Sequence, residues 1–155
     1  MIDLNIGDQA PNFDLPANDG RRVSLSEHSG KTVVLYFYPK DNTEGCTLEA
    51  IDFTRLKGEF DAAGAAIIGI SPDSARKHDN FCRKHGLGIT LGSDEDLQAA
   101  QAYGVWVEKQ MYGRKYMGID RSTFLIGPDG KIRRIWRKVR VKGHAEEVLE
   151  AVRSG

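Results

Sequence analysis

The stretch TVVLYFYPKDNTEGCTLEA (residues 32–50) contains the three local signals that decide the fold. It opens with TVVLYFY, which is rich in β-branched and aromatic side chains and predicts a strand buried on both faces. The turn PKDNT (residues 39–43) ends that strand, and a helix is predicted over residues 45–62. Cys46 therefore lies at a helix start, where unpaired backbone N–H groups favour a thiolate over a thiol.

Strands and helices continue to alternate along the rest of the chain. The predicted elements are a buried strand at residues 65–71, a helix at 71–85, a short helix at 97–103, a hairpin of strands at 122–127 and 131–138, and a closing helix at 143–153. This β-α-β-α-β-β-α order is the thioredoxin-like pattern. It predicts an α/β fold in which helices flank both faces of a central mixed β-sheet. At 155 residues the chain is expected to form a single domain, residues 1–155.

Composition limits the classes of function. Lysine plus arginine and aspartate plus glutamate both total 22, so the net charge is zero and gives no reason to expect a nucleic-acid partner. The first residues lack the regions of a secretory signal, and no apolar run reaches the length of a membrane span. The two cysteines, Cys46 and Cys82, are too few for a secreted disulfide framework. We therefore expect a reducing, cytoplasmic setting and thiol redox chemistry.

Several side chains are predicted to converge on Cys46. Pro39 ends the strand rigidly, and Thr43 is three residues before the cysteine, so its hydroxyl can turn back toward the sulfur or a bound oxygen ligand. The amides from Gly45 onward are unpaired at the helix start and can stabilise developing negative charge. A thiolate there needs a fixed cation, and Arg121, just before the strand STFLIG, is the best-placed candidate in this fold.

These residues resemble the peroxiredoxin signature Pro-x-x-x-Thr-x-x-Cys, with Arg121 as the partner arginine. The closer likeness is to the bacterioferritin-comigratory-protein, or peroxiredoxin Q, subfamily. Four motifs carry it, in order and across most of the chain: GDQAPNFDLP, FYPKDNTEGCTLEA, RSTFLIGPDGKI and WRKVRVKGHAEEVL.

The resemblance implies a thiol peroxidase without metal, haem or flavin, in which Cys46 is the peroxidatic cysteine. Its thiolate would attack a hydroperoxide and become a sulfenic acid. Thr43 and Arg121 would hold the peroxide oxygens, and Pro39 would shield the sulfenic acid from water. The resemblance also favours a monomeric protein.

This chain departs from the family pattern at two positions. Glu44 stands where proline is common before Gly-Cys, and we expect it to be tolerated at a helix N-terminus. Ile51 stands where many members carry a second cysteine. Cys82, 36 residues after Cys46, fits the atypical two-cysteine variant with its resolving cysteine on the following helix. An intramolecular disulfide, reduced by a thioredoxin-type dithiol, would then require local unwinding at one or both cysteines.

Other interpretations of the same residues stay open. Either cysteine could be a small buried hydrophobe. His78, Cys82 and His85 have i, i+4, i+7 spacing that could ligate a metal or bias the ionisation of Cys82, although such a set more often forms a solvated polar face.

Two further segments have alternative readings. The segment KIRRIWRKVRVK (residues 131–142) carries seven positive charges. Its charged residues alternate with Ile132, Ile135, Val139 and Val141, which favours a strand with one solvated face. The positive charge could also attract an acidic reductant. Bulky side chains before Arg121 are expected to pack in a loop and could wall a pocket for organic hydroperoxides: Trp106, Met111, Tyr112, Tyr116 and Met117.

The sequence leaves two rival classes of function open. A thiol-disulfide oxidoreductase is disfavoured because no Cys-x-x-Cys is present, whereas a redox sensor would oxidise but turn over poorly. A non-enzymatic metal or nucleic-acid binder would be indifferent to Cys46→Ser.

Overall fold

The computed structural model describes residues 4–155, which form nine named strands and four α-helices. The strands are β1 (Asp14–Pro16), β2 (Arg22–Ser24), β3 (Thr32–Phe37), β4 (Ala65–Ser71), β5 (Thr90–Ser93), β6 (Trp106–Met111), β7 (Arg114–Ile119), β8 (Ser122–Ile126) and β9 (Ile132–Trp136). The helices are α1 (Glu44–Ala62), α2 (Ala75–His85), α3 (Gln98–Ala102) and α4 (His144–Ser154).

A mixed sheet in the order β5-β4-β3-β8-β9 forms the centre of the fold. Strand β3 is parallel to β4 and antiparallel to β8, so that Val34 lies between Ile67 and Leu125. Both neighbours supply hydrogen bonds to β3, which explains why its residues 33–37 are fully buried. The predicted thioredoxin-like α/β class is confirmed.

Each face of the sheet has its own apolar core. One core contains side chains from α1, α2 and α4, and both cysteines belong to it. The other core lies under α3 and the small β1-β2 hairpin. Helices therefore cover both faces, but α1, α2 and α4 share one face and leave α3 and the hairpin to the other. The consequence for the site is that Cys46 and Cys82 lie on the same side of the sheet.

The sequence predicts an apolar stripe on α1 formed by Leu48, Ile51, Leu56 and Phe60, and half of this prediction is wrong. Leu56 and Phe60 are buried as expected, whereas Leu48 and Ile51 are 46% and 39% exposed. The buried face instead follows helical spacing from Cys46, and it continues through Glu49, Ala50 and Phe53 before reaching Leu56 and Phe60. Leu48 and Ile51 were assigned to the core wrongly because the helix face that they share points to solvent.

The segment before Arg121 was also assigned wrongly. Strands β6 and β7 pair with each other in a separate two-stranded sheet, not in a packed loop. Because this ribbon has no third strand, its bulky side chains stay exposed: Met111, Tyr112, Tyr116 and Met117. Trp106 alone of that set packs against the core. The short strand β5 was not predicted, and β9 ends at Trp136, so Val139 and Val141 follow it in a loop.

Two other helix ends have ordinary terminating residues. Ser74 caps α2 by accepting a hydrogen bond from the Lys77 amide, and Gly64 follows α1 with a left-handed φ of 79°. Within residues 4–155 none of the helices combines the length and the apolar character needed to cross a bilayer.

Tyr36 in β3 packs directly on the backbone of Gly69 in the neighbouring strand β4. A Cβ at position 69 would lie 2.6 Å from the ring carbon Cζ of Tyr36. The ring cannot easily move aside, because it also stacks on Tyr38 and Phe53 with centroid distances of 5.5 and 4.8 Å.

We expect Gly69→Ala to lower the free energy of unfolding by about 1–3 kcal/mol through this overpacking, as measured by urea denaturation. Gly58→Ala is the matched control, because position 58 is exposed in α1 and a Cβ there meets nothing. It should raise the free energy of unfolding by roughly 0.5–1 kcal/mol. Equal effects of the two substitutions would contradict the packing argument.

Candidate active site

Cys46 is the third residue of α1 and is only 1% exposed. Its helix is the direct continuation of β3 through the turn at residues 38–43, which places the cysteine at the carboxyl end of the central strand. The first main-chain bond of the helix runs from the Thr47 amide to the Thr43 carbonyl at 2.9 Å. The amides of residues 44–46 therefore precede the helical ladder and have no intrahelical acceptor.

Arg121 reaches Cys46 from the neighbouring strand. Its Nη2 donates to the Cys46 Sγ at 3.2 Å. Topology explains the approach, because β8 is antiparallel to β3 and Ser122 pairs with Phe37. The residue just before β8 therefore lies beside the end of β3. The Val139 amide donates to the Arg121 carbonyl at 2.9 Å, so the loop after β9 fixes the arginine backbone.

Glu49 completes the arrangement and was not predicted from the sequence. Its Oε1 accepts a hydrogen bond from Arg121 Nη1 at 2.7 Å, and the residue is 1% exposed. Burial raises the pKa of Glu49 to about 7, against the opposing effect of Arg121. Within the described residues its second oxygen has no hydrogen-bond partner. The sequence did contain a signal, because a carboxylate three residues after Cys46 lies on the same helical face.

Gly45 gives the guanidinium its access to the sulfur. A Cβ at this position would lie 3.3 Å from Arg121 Nη2. Any side chain there would press on the donor that contacts Cys46, so the glycine in Glu-Gly-Cys has a steric role. Burial lowers the pKa of Arg121, but Glu49 and Cys46 together outweigh it and raise the pKa above the ordinary value. The arginine is therefore a permanent cation at the sulfur.

Thr43 and Pro39 lie on the loop that leads into α1. Thr43 is the N-cap residue and is exposed, and its hydroxyl donates to the Lys40 carbonyl at 2.8 Å. The Thr43 hydroxyl is thus directed to the loop backbone in this structure. Pro39 is half-buried and directly follows Tyr38, whose amide donates to the Ile70 carbonyl of β4.

Cys82 is in the second half of α2 and is 9% exposed. The Asn18 side-chain amide lies 3.5 Å from its Sγ. Burial raises the pKa of the Cys82 thiol to about 12, and the carboxylates of Asp41, Asp19 and Asp79 add to the effect. Cys46 and Cys82 are both free thiols in the same apolar core. Cys82 is therefore held as a protonated thiol in this state.

The spacing of His78, Cys82 and His85 does not form a shared site. His78 is completely buried, with Nδ1 at 2.7 Å from an Asp41 carboxylate oxygen and Nε2 at 3.0 Å from the Gly92 carbonyl. His85 instead lies 3.3 Å from the Asn42 side-chain oxygen at the surface. The interpretation of this set as a solvated polar face is wrong for His78, because helical spacing alone does not show which face is covered.

Comparisons with known proteins identify the family of the chain. The profile of the AhpC/TSA family matches residues 6–135. The chain is 48% identical to Peroxiredoxin Bcp of Xanthomonas campestris over 99% of this chain and 98% of that protein. It is 47% identical to Peroxiredoxin Bcp of Bacillus subtilis over 97% and 96% of the two chains.

Solved structures give the same result. Peroxiredoxin Q of Xanthomonas campestris superimposes with a TM-score of 0.90 at 46% identity, covering 97% of this chain and 96% of that one. A cysteine-to-serine mutant of Xylella fastidiosa PrxQ reaches a TM-score of 0.94 at 42% identity, covering 99% and 98%. The chain therefore belongs to the AhpC/TSA family and is a thiol-dependent peroxidase of the peroxiredoxin Bcp, or Q, type.

Proposed function

We propose that Cys46 is the peroxidatic cysteine of this enzyme, that Cys82 resolves its sulfenic acid, and that a thioredoxin-type dithiol completes the cycle. One observation carries the proposal: the Arg121 guanidinium contacts the Cys46 sulfur at 3.2 Å within the first turn of α1. A cation and free amides around a sulfur are the surroundings that stabilise both a thiolate and the charge that develops in peroxide cleavage.

In the first step the Cys46 thiolate attacks the terminal oxygen of a hydroperoxide. A sulfur–oxygen bond forms as the oxygen–oxygen bond breaks, and sulfur supplies both electrons. The leaving alkoxide, or hydroxide, takes up a proton and departs as an alcohol or water, and Cys46 becomes a sulfenic acid. Arg121 and the helix amides stabilise the negative charge, and a rotation of the Thr43 hydroxyl away from Lys40 would add a contact to the peroxide.

In the second step the Cys82 thiol attacks the sulfenic sulfur. The Cys46–Cys82 disulfide forms and water leaves, and a dithiol then reduces the disulfide while it is itself oxidised. The pair has support from relatives: the two cysteines replaced by serine in separate solved mutants of the Xanthomonas campestris protein are 36 residues apart, as Cys46 and Cys82 are. Sulfur and the dithiol carry both electrons, so the scheme calls for no metal, haem or flavin.

The burial of Cys82 in this structure opposes the second step. A buried thiol with its pKa raised to about 12 is a poor nucleophile, because the thiolate is the reactive form. Opening of α2 would expose Cys82 to water and remove the burial that raises its pKa. Local unwinding would thus bring Cys82 toward Cys46 and also activate it.

The substrates that we propose are hydrogen peroxide and organic hydroperoxides. A solved structure of the related Xanthomonas campestris protein concerns its alkyl peroxide reduction activity. We also propose that the chain works as a monomer in the cytoplasm, since an intramolecular disulfide needs no second copy, and that it takes no nucleic-acid or membrane partner.

Single cysteine substitutions test the two roles. Peroxide consumption in the presence of a thioredoxin system should fall to background in Cys46→Ser, because the attacking sulfur is gone. Cys82→Ser should consume about one equivalent of peroxide and then require added small thiols for turnover. Full thioredoxin-dependent turnover in Cys82→Ser would remove Cys82 from the resolving role, and a parent protein that oxidises once but is not reduced by dithiols would be a redox sensor.

Disulfide formation should loosen the helix around Cys46, Cys82 or both. Two cysteines can bond only when their Cα atoms come within about 7 Å, which intact helices at these positions oppose. Hydrogen exchange of the reduced and oxidised proteins should therefore differ in residues 44–50 or 79–86, with α4 as the internal control. Identical exchange in both regions would rule out the unwinding step.

The buried carboxyl of Glu49 should make stability depend on pH. Its pKa is about 7 in the folded protein against an ordinary value of 4.5, so the folded state holds this proton more tightly than the unfolded chain does. As the pH rises from 4.5 to 7, the free energy of unfolding of the parent should therefore fall by roughly 1–3 kcal/mol relative to that of Glu49→Gln. Urea unfolding at pH 5 and pH 8 measures the difference.

Glu59→Gln is the matched control for that experiment, because Glu59 is on the same helix but exposed and paired at the surface with Arg153. It should not change the pH dependence in this way. If Glu49→Gln and Glu59→Gln gave the same profile as the parent, Glu49 would be titrating as an ordinary exposed carboxyl.

A further inference from the structure

A buried polar network joins the loop before α1 to helix α2. Asp41 is 5% exposed and lies between Pro39 and Thr43 in sequence. One of its carboxylate oxygens accepts the Tyr38 hydroxyl hydrogen bond at 2.6 Å, and the other lies 2.7 Å from His78 Nδ1. The Asp41 amide donates to Asp73 Oδ2 at 2.7 Å. The loop therefore has both its side chain and its main chain fixed to the start of α2.

The hydrogen-bond partners of His78 determine its charge. Nε2 lies 3.0 Å from the Gly92 carbonyl, which can only accept, so this nitrogen carries a proton. Nδ1 and the Asp41 oxygen share a second proton at 2.7 Å. The Tyr38 hydroxyl donates to the other oxygen of Asp41, and a donor there favours the charged carboxylate, which places the shared proton on the ring. His78 is then an imidazolium in a buried ion pair.

The charges around the ring favour the same assignment. Ligand atoms of Asp41, Asp73 and His78 all lie within 4.8 Å of one another, so a second acidic group faces the imidazolium. Tyr38, which directly follows β3, and Cys82, one turn along the same helix, are the other titratable groups on the elements around it. If the shared proton lay on Asp41, His78 would be neutral and the buried Asp73 carboxylate would have no counter-charge in this network.

The ion pair divides α2 into two unequal parts. The first part has the Ser74 cap and the fully buried His78. The second part begins at Cys82, one turn after His78, and carries the exposed Arg83 and Lys84. The contacts of this second part with the loops are weaker: an amide 3.5 Å from the Cys82 sulfur and the surface pair of His85 at 3.3 Å. Opening the second part exposes the fully buried Phe81 and the buried Cys82 but leaves the buried charges together, whereas opening the first part would also separate those charges.

We propose that the Asp41–His78 ion pair is a positioning unit that holds residues 39–43 and the first half of α2 in place, so that only the part of the helix beyond His78 opens to deliver Cys82. This inference rests on the proposed resolving role of Cys82. Both residues act through others: Asp41 fixes the loop that carries Pro39 and Thr43, and His78 fixes the point from which Cys82 moves.

The charge state can be measured without any substitution. A nitrogen-15 spectrum of the side chains of the reduced protein near pH 7 should show protons on both ring nitrogens of His78, with a hydrogen-exchange lifetime long enough to detect because the ring is fully buried. A neutral ring with one proton would overturn the ion pair. The result does not depend on peroxidase activity, so it distinguishes a failure of this inference from a failure of the proposed function.

Hydrogen exchange tests the division of the helix. On oxidation of the parent, residues 80–86 should lose protection while residues 75–78 keep theirs. In His78→Asn, oxidation should also deprotect residues 75–78, because the anchor is missing. Loss of protection along the whole helix in the oxidised parent would overturn the proposal, even if His78→Asn does not fold.

Rapid-mixing kinetics separate positioning from simple destabilisation. Disulfide formation after a peroxide pulse should slow by about ten- to a hundredfold in His78→Asn, the scale produced by misplacing reacting groups by an ångström. His85→Asn, on the same helix with only a surface contact, should stay within about twofold of the parent. The double variant Asp41→Asn with His78→Asn should be no slower than His78→Asn alone, since the two residues act as one unit. Equal rates for His78→Asn and His85→Asn, or additive losses in the double variant, would overturn the proposal.

Discussion

The Arg121 guanidinium connects the parts of the fold that meet at the reactive sulfur. One nitrogen contacts Cys46 and the other contacts Glu49, so a single side chain at the start of β8 bridges two residues on successive turns of α1. This contact requires β8 to be antiparallel to β3 and Gly45 to lack a side chain. The order of the strands, the start of α1 and the glycine at position 45 must therefore all allow one cation to reach a buried sulfur.

Much of this arrangement could be predicted from the sequence. A buried strand, a turn with proline and a helix beginning beside a cysteine are local patterns, and they placed Cys46 correctly at a helix start. Arg121 could be linked to Cys46 because, in this fold, the start of its strand lies close to the loop that follows the neighbouring strand. Glu49 was missed because its burial depends on Arg121, which is 72 residues away in sequence, and local periodicity contains no information on that contact.

The errors have a common physical origin. Leu48 and Ile51 were assigned to the core because they are large and apolar, but the helix rotation is set by which face meets the sheet. The bulky residues of β6 and β7 were assigned to a packed loop, whereas they pair as an isolated ribbon. His78 was assigned to a solvated face although Asp41 and Gly92 enclose it. For Leu48, Ile51 and His78 the helix was predicted correctly and tertiary packing determined which side was covered, whereas for β6 and β7 the pairing of two strands was itself missed.

The burial of Cys82 has a consequence for the fate of the oxidised enzyme. In the proposed cycle, the sulfenic acid at Cys46 waits until the end of α2 opens, so its lifetime is set by a conformational rate and not by the reactivity of the second thiol. During that interval another peroxide molecule can convert it to the sulfinic acid, which thioredoxin does not reduce. In the proposed cycle the packing around one buried thiol would thus set the peroxide concentration above which the enzyme inactivates itself.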